Sequence, residues 1–445
     1  MVHSINIVFF YGMRPGNVVQ ISDAIKAYLQ APLITTVPTW AIIPKVVWRD
    51  EWHSRFRKVA CPLDRALYGH QTAGDDWFDY FDNTLVTKMK GKRIEQFPSV
   101  WWFKDWEVLV ATYVDDVIAA GPEQGVAKFW ETVRSHVSFD DVTVPGRYLG
   151  RDHLVVELNK GKKVFMSMPD YARSSYEMYE SEFGALKPCE TPFVSESLLT
   201  TEGYESQGQL AGHAASLLMK LLWLSRLSRP DLSFAITSLA GAICKWSRNH
   251  DIQLKRLLGY VKQTCDFGLW GHVPGYHPPT LRVYCDADLA GDPLTCKSHT
   301  GIDFQGEATF PVSWCSKRQT AVARSTTEAE LASANEAVFQ ECLPLKTILE
   351  EILKTTIETV VHEDNTATIQ VIAAGYSPKL RSMNRTHRIS VAALSGAVER
   401  NLIKVEHIES KQQLADLLTK ALNKQVFLHL RNLVGLKPRK ENVKD

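Results

Sequence analysis

Hydrophobic and polar positions change rhythm several times along the chain. Ile5 to Met13 is a short apolar run that reads as a strand, and it lacks the basic lead-in and cleavage site of a signal peptide. Apolar residues recur at helical spacing between Asp64 and Asn83, and Val108 to Ile118 and His153 to Glu157 read as strands. From Gln207 to Cys265 the pattern turns helical, with Leu217, Leu218, Leu221, Leu222, Leu224 and Leu227 preceding a break at Pro230. Gly271 to Thr280 holds Pro274, Pro278 and Pro279 with Gly271 and Gly275, the composition of a linker. Beyond it the pattern predicts βββαβαβα. Leu281–Asp286, Gly301–Phe304 and Phe310–Ser316 are strands, and Ser325 opens a long helix. Thr359–His362 is a strand ended by Asp364, a helix starts at Thr366, Leu402–Ile408 is the last strand, and Asp416 lies in the last helix.

Composition narrows the class. A chain of 445 residues, 45% hydrophobic and 23% charged, predicts a soluble multidomain protein with an α/β (α+β) fold. The formal net charge of +1 means that any phosphate-binding surface is local. Eight cysteines without a C-x-x-C pair argue against a zinc ribbon or a secreted disulfide framework, and predict a reducing, intracellular setting. The longest apolar candidate for a membrane span, Ala214 to Leu227, carries Lys220 and Arg226, so no membrane association is expected.

Two sets of acids stand out against this background. One is Asp115-Asp116, inside the apolar run Val108 to Ala120; the other is Asp286, Glu330, Asp364 and Asp416, each at the edge of a predicted element. Gathered together, such carboxylates repel and raise one another's pKa unless divalent cations neutralise them, and Mg²⁺ prefers oxygen ligands and phosphate substrates. From spacing alone, four unrelated surface acids are an even alternative. Ser325-x-x-Glu328 is a capping box, and Thr327-x-x-Glu330 can be read the same way.

Longer motifs resolve the ambiguity. Asp286-Ala287-Asp288-Leu289-Ala290-Gly291-Asp292, Val312 through Gln319, Ser325 through Glu330 and Gln413 through Lys420 together resemble the ribonuclease H domain of copia-type retrotransposon Pol polyproteins. The resemblance implies catalytic metal binding by Asp286, Glu330, Asp364 and Asp416, with Asp288 and Glu328 as neighbours. It favours Glu330 over Glu328 because an apolar residue, Leu331, follows directly. Upstream, Tyr113-Val114-Asp115-Asp116 resembles a reverse-transcriptase palm hairpin, Leu63 through Gln71 with Trp77 resembles the helix-preceding motif, and Tyr148-Leu149-Gly150 and Arg229-Pro230-Asp231 match later landmarks. Asp23 is then the third palm carboxylate, Tyr28 the aromatic that selects deoxynucleotides, and Gln71 a substrate-binding residue.

The resemblance implies two Mg²⁺ ions per active site, with Mn²⁺ as an alternative. It also implies RNA·DNA hybrid, template RNA, primer and dNTPs as partners. Arg385, His387 and Arg388 would contact substrate, the cluster Lys379 to Arg388 and Lys317, Arg318 and Arg324 would track phosphates, and Trp101, Trp102, Phe103 and Trp106 would stack on bases or fill the core. The family's basic residue before the histidine falls after it here, at Arg388. Few residues precede Asp23, so the fingers contacts are expected to be missing and polymerase activity impaired. Neither protease, integrase nor zinc-knuckle sequence is recognised, which suits a segment of a longer polyprotein, or a decayed, non-catalytic nucleic-acid-binding remnant. The expected divisions are a truncated palm region at 1–195, a helical connection at 196–275, a ribonuclease H domain at 280–425 and a tail at 426–445.

Overall fold

The computed structural model describes residues 2–35, 37–97, 99–275, 279–289, 299–305, 310–381 and 383–439. The chain divides into two compact units, one built from residues 3–12 and 16–145, the other from 146–445. The expected motif residues Ala290-Gly291-Asp292 and the end of the chain from Lys440 lie outside the described residues.

The first unit contains helix α1 (Val2–Gly12), β1 (Asn17–Asp23), helix α2 (Ala73–Asn83), β2 (Lys92–Arg93), β3 (Val100–Phe103), β4 (Val108–Tyr113), β5 (Asp116–Pro122) and helix α3 (Glu123–Arg134). These strands form one sheet in the order β1-β5-β4-β3-β2, and Trp40–Ile42 pairs antiparallel with Ala60–Pro62 in a separate two-stranded ribbon. β1 and β5 pair antiparallel, from Asn17 opposite Pro122 to Asp23 opposite Asp116. Strands β3 to β5 are buried almost throughout, hence their continuous apolar sequence. Helix α3 buries Val126, Phe129, Trp130 and Val133, an i, i+3, i+4, i+7 stripe, into the core that also takes Trp77, Phe81, Trp101 and Phe103. The aromatic group before the hairpin is therefore core: Trp101, Trp102 and Phe103 are buried, and Trp106 stacks on Phe103 with ring centroids 5.3 Å apart.

Two sequence expectations change here. Ile5–Met13 is not a strand: it lies mostly in α1, and Ile5, Ile7, Val8, Phe9, Phe10, Tyr11 and Met13 are all buried. A segment apolar on every side shows no period, so strand and buried helix look alike in sequence. Gly12 ends that helix where a Cβ would stand 2.0 Å from a Val19 methyl, so only a glycine lets it meet β1. In the stretch from Asp64 to Asn83, the α-helix occupies only Ala73–Asn83.

The second unit opens with β6 (Arg147–Tyr148), β7 (Arg151–Leu158), β8 (Gly161–Ser167) and helices α4 (Pro169–Phe183), α5 (Ala214–Leu227) and α6 (Arg248–Gln263). It continues through β9 (Phe267–Val273), β10 (Thr280–Asp288), β11 (His299–Gln305), β12 (Pro311–Arg318), helices α7 (Thr326–Glu336) and α8 (Leu343–Leu353), and β13 (Glu358–Glu363). Helices α9 (Thr366–Ala374) and α10 (Val391–Glu399), β14 (Lys404–His407), α11 (Lys424–Leu433) and β15 (Leu436–Pro438) complete it. One sheet has the order β15-β9-β8-β7-β6, the other β12-β11-β10-β13-β14. In the latter, β10 pairs antiparallel with β11 and parallel with β13, which is parallel to β14. The predicted strand order of this region holds, but it carries more helices than the pattern predicted, α8 after α7 and α10 after α9, and Asp416 sits in a short 3₁₀ turn, Leu414–Leu418.

The expected linker at Gly271–Thr280 begins inside β9, because Val164 and Gly271 are ladder partners. Lys437-Pro438, inside the expected tail, pairs with Phe267-Gly268. Among the described residues, no helix is long and apolar enough to cross a membrane.

The break at Pro230 has a structural purpose. Arg229 and Asp231 flank it and are almost wholly buried, their side chains 2.8 Å apart. Arg229 also donates to the Thr264 carbonyl at 2.8 Å and hydroxyl at 2.7 Å, and Tyr260 donates its hydroxyl to Asp231 at 2.6 Å. This network ties the Pro230 turn to the end of α6. Removing one partner of such a pair strands a buried charge, so Asp231→Ala should cost about 3–5 kcal/mol in a urea titration. A loss under about 1 kcal/mol would mean that the network is dispensable.

Candidate active sites

In the first unit the antiparallel register places Asp23, the last residue of β1, opposite Asp116, the first of β5. Asp115 joins them through the hairpin turn, its carbonyl accepting from the Ala24 amide at 2.9 Å. Burial, then a hydrogen bond with Asp23, then the charges of Asp23 and Asp115 push the Asp116 carboxyl up to about 7. The turn is strained: Val114, β-branched, has φ +61°. Its carbonyl is held from two sides, by the Trp77 indole N–H at 2.7 Å and the Thr112 hydroxyl at 3.1 Å. Tyr28 packs on Tyr68 with ring centroids 4.6 Å apart, and the Asp115 carboxylate adds to burial in raising the Tyr68 phenol's pKa. Gln71 is exposed in the turn before α2.

In the second unit three elements deliver carboxylates to one place. Asp286 comes from β10, Glu330 from α7 and Asp364 from the residue following β13, and one oxygen of each lies within 4.8 Å of the others. Parallel pairing of β10 with β13 brings the first and third to the same end of the sheet. Helix α7 is held there by Ser333, whose hydroxyl donates to the Asp286 carbonyl at 2.9 Å, and its small residues Ala329, Ala332 and Ala334 are buried. Gln413 donates to the carbonyls of Cys285, at 3.0 Å, and His362, at 3.3 Å, anchoring the turn that carries Asp416.

The electrostatics are those of a compressed anionic cluster. Burial, then the charges of Asp286, Glu363 and Asp364, push the Glu330 carboxyl up to about 11. Glu363 rises to about 8 and Asp416 to about 7, burial again being the main cause. Lys420 answers part of this charge, its ammonium 2.7 Å from Asp416 and 3.4 Å from Asp286. Among the described residues, Glu330 Oε2 is buried without a hydrogen-bond partner. A buried, unpartnered carboxylate oxygen in a set made only of carboxylate oxygens fits a hard divalent cation such as Mg²⁺ or Mn²⁺.

The chain resembles the retrovirus-related Pol polyproteins from transposon TNT 1-94 of Nicotiana tabacum, 28% identical over 393 residues, and from transposon RE1 of Arabidopsis thaliana, 26% identical over 392. These alignments cover 85% and 84% of this chain but only 28% and 25% of the relatives. It belongs to the copia-type retrotransposon Pol family. The chain thus spans about a quarter of the length of those relatives. An uncharacterized mitochondrial protein of Arabidopsis thaliana is 30% identical over 227 residues, 49% of this chain and 86% of that protein. No family model matches the chain.

Within this Pol segment, Glu328 and Glu330 have different surroundings, Glu330 lying with Asp286 and Asp364. Glu328 takes part in the helix cap: its amide donates to Ser325 Oγ at 3.2 Å, and its carboxylate accepts at 2.8 Å from the amide of Arg324, the residue before the cap, rather than from Ser325 as a full capping box would require. Its other oxygen lies 3.1 Å from His387 Nε2, so the histidine is engaged by the cap. Arg385 and Arg388 are exposed, and neither forms an ion pair among the described residues. Lys317 is paired with Glu336, and Arg324 is exposed. Sequence reasoning gave no role to Glu363, whose carboxylate accepts from the Asn365 amide at 3.1 Å, or to Ser333, Gln413, Thr419 and Lys420. The last four lie inside or beside quoted motifs, but Ser333, Gln413 and Thr419 bond to residues distant in sequence, and Lys420 reaches distant Asp286 as well as nearby Asp416.

Two outcomes follow. Val114→Gly relieves a left-handed β-branched residue and should raise the unfolding free energy by roughly 1 kcal/mol in denaturant titration, whereas a loss would show the turn to be unstrained. Because Glu330, Glu363 and Asp416 have raised folded-state values, the native chain holds more protons than the unfolded one above the ordinary carboxylate range. Stability in EDTA should therefore fall as pH rises from about 5 to about 8, and Glu330→Gln should flatten that slope; equal slopes in thermal melts would overturn the reading.

Proposed function

We propose that this Pol segment hydrolyses the RNA strand of RNA·DNA hybrids at Asp286, Glu330, Asp364 and Asp416. The observation that carries this reading is the convergence of three carboxylates, two of them buried, with a Glu330 oxygen unpartnered among the described residues, at the end of a mixed sheet. Asp286, Glu330 and Asp364 would hold Mg²⁺, with Asp416 alongside. When bound, the ion would lower the pKa of a water and stabilise charge on the phosphodiester oxygens.

The protein's own contribution is placement. Ser333 fixes α7 against β10, so Glu330 and Asp286 keep one relative position. Ser410 donates to Asp364 at 2.7 Å and Thr419 to Asp286 at 2.6 Å, which orients both carboxylates before substrate arrives. Arg385 and Arg388, exposed and without an ion pair among the described residues, are available to the phosphates of a hybrid, whose shape and 2′-hydroxyls distinguish it from DNA duplex. The Asp23–Asp115–Asp116 group supports a second reading, a palm site acting on dNTPs, through the contact between Asp23 and Asp116.

The test is cleavage of an end-labelled RNA·DNA hybrid by the full chain with Mg²⁺, beside primer extension on an RNA template. Outer-shell partners of a metal are worth about 10- to 100-fold, so Asp286→Asn should lose at least about 100-fold in cleavage. Extension, if present, should vanish in Asp116→Asn while cleavage persists. A folded wild-type chain inert in both assays would make it a non-catalytic remnant.

A further inference from the structure

Lys420 stands where a second cation would be expected to bridge carboxylates. Its ammonium lies 2.7 Å from Asp416 Oδ1 and 3.4 Å from Asp286 Oδ2, and that same Asp286 oxygen accepts from Thr419 Oγ1 at 2.6 Å. Asp286 is thereby divided between two neighbourhoods. One oxygen faces the Lys420 ammonium and the Thr419 hydroxyl, while the carboxylate also belongs to the group with Glu330 and Asp364. Lys420 is one α-helical turn's length from Asp416 in sequence and its side chain is 35% exposed, so it can leave toward solvent without disturbing the core.

We infer that Lys420 is a built-in cation of this site: the free protein takes a single divalent ion at Asp286, Glu330 and Asp364, while the ammonium holds the place between Asp286 and Asp416. A second ion enters only when Lys420 is displaced. The inference rests on the metal-binding reading of the carboxylates, and it makes Lys420 a positioning residue. An ammonium carries one charge and three donors and cannot offer an open coordination position, so the two states of the site differ in charge as well as in ligand set.

Mn²⁺ binding, followed by electron paramagnetic resonance on the full chain, separates these ideas. All arms carry Asp115→Asn and Asp116→Asn, which silences the other acidic group. The otherwise unchanged chain should bind one Mn²⁺ with the signal of an isolated ion. Lys420→Met should bind a second, producing a spin-coupled pair, and Lys420→Arg should behave as the unchanged chain. Two coupled ions in the chain with Lys420 present would overturn the inference whether or not the methionine variant folds, as would a Lys420→Met protein that still binds one. Glu330→Gln is the control for the underlying reading: if Mn²⁺ still binds as before, the carboxylate site itself has been misassigned, independently of Lys420.

Discussion

Mutual repulsion among buried carboxylates is the constraint around which this chain is arranged. Asp286, Glu330 and Asp364 sit closer to one another than solvated acids would choose, and burial of Asp286 and Glu330 removes much of the water that would screen them. Such a cluster persists only if the elements beneath it resist being pushed apart. Parallel pairing of β10 with β13, the Ser333 clamp on β10 and the two hydrogen bonds from Gln413 provide that resistance. The energy held against repulsion becomes an affinity for positive charge. Part of that demand is met inside the chain by Lys420.

The two acidic groups solve the same problem at different depths. In the first unit the carboxylates sit at a strand end and a hairpin turn, with Asp23 exposed and Asp116 half-buried, so solvent carries much of the repulsion. Backbone geometry holds them: the β1–β5 register, and a turn whose Val114 carbonyl is pinned by Trp77 and Thr112. In the second unit side chains do the holding, because Asp286 and Glu330 are buried. Removing a hydrogen bond should therefore matter more in the deeper cluster, where no water can replace it.

Much of this was legible in sequence where the signal is local. Strand β10, the cap at Ser325 and the helix starting at Thr366 follow from alternation, capping chemistry and apolar pattern, and the motif pieces bring the carboxylates into one reading. What stayed hidden was non-local. Helix α1 is apolar on all sides and carries no period. Leu436–Pro438 pairs with a strand some 170 residues earlier, and its proline gives no strand signal. Glu363 was eclipsed by Asp364 because adjacent strand-end residues face opposite ways, and spacing alone does not say which carboxylate turns toward Asp286. Glu328 and Glu330 likewise separated only once the cap and the histidine contact were visible.

The pairing of β15 with β9 sets the order in which the second unit can form. Its first sheet starts at Arg147 but gains its outer strand only from Leu436–Pro438, so a nascent chain must expose the β9 edge through most of the unit's synthesis. An unpaired strand edge is a template for intermolecular association, and closing a loop of this length is slow. During translation, this sheet therefore depends on late residues to cover a surface that early residues create, and its vulnerable period is set by elongation speed rather than by any interaction in the finished fold.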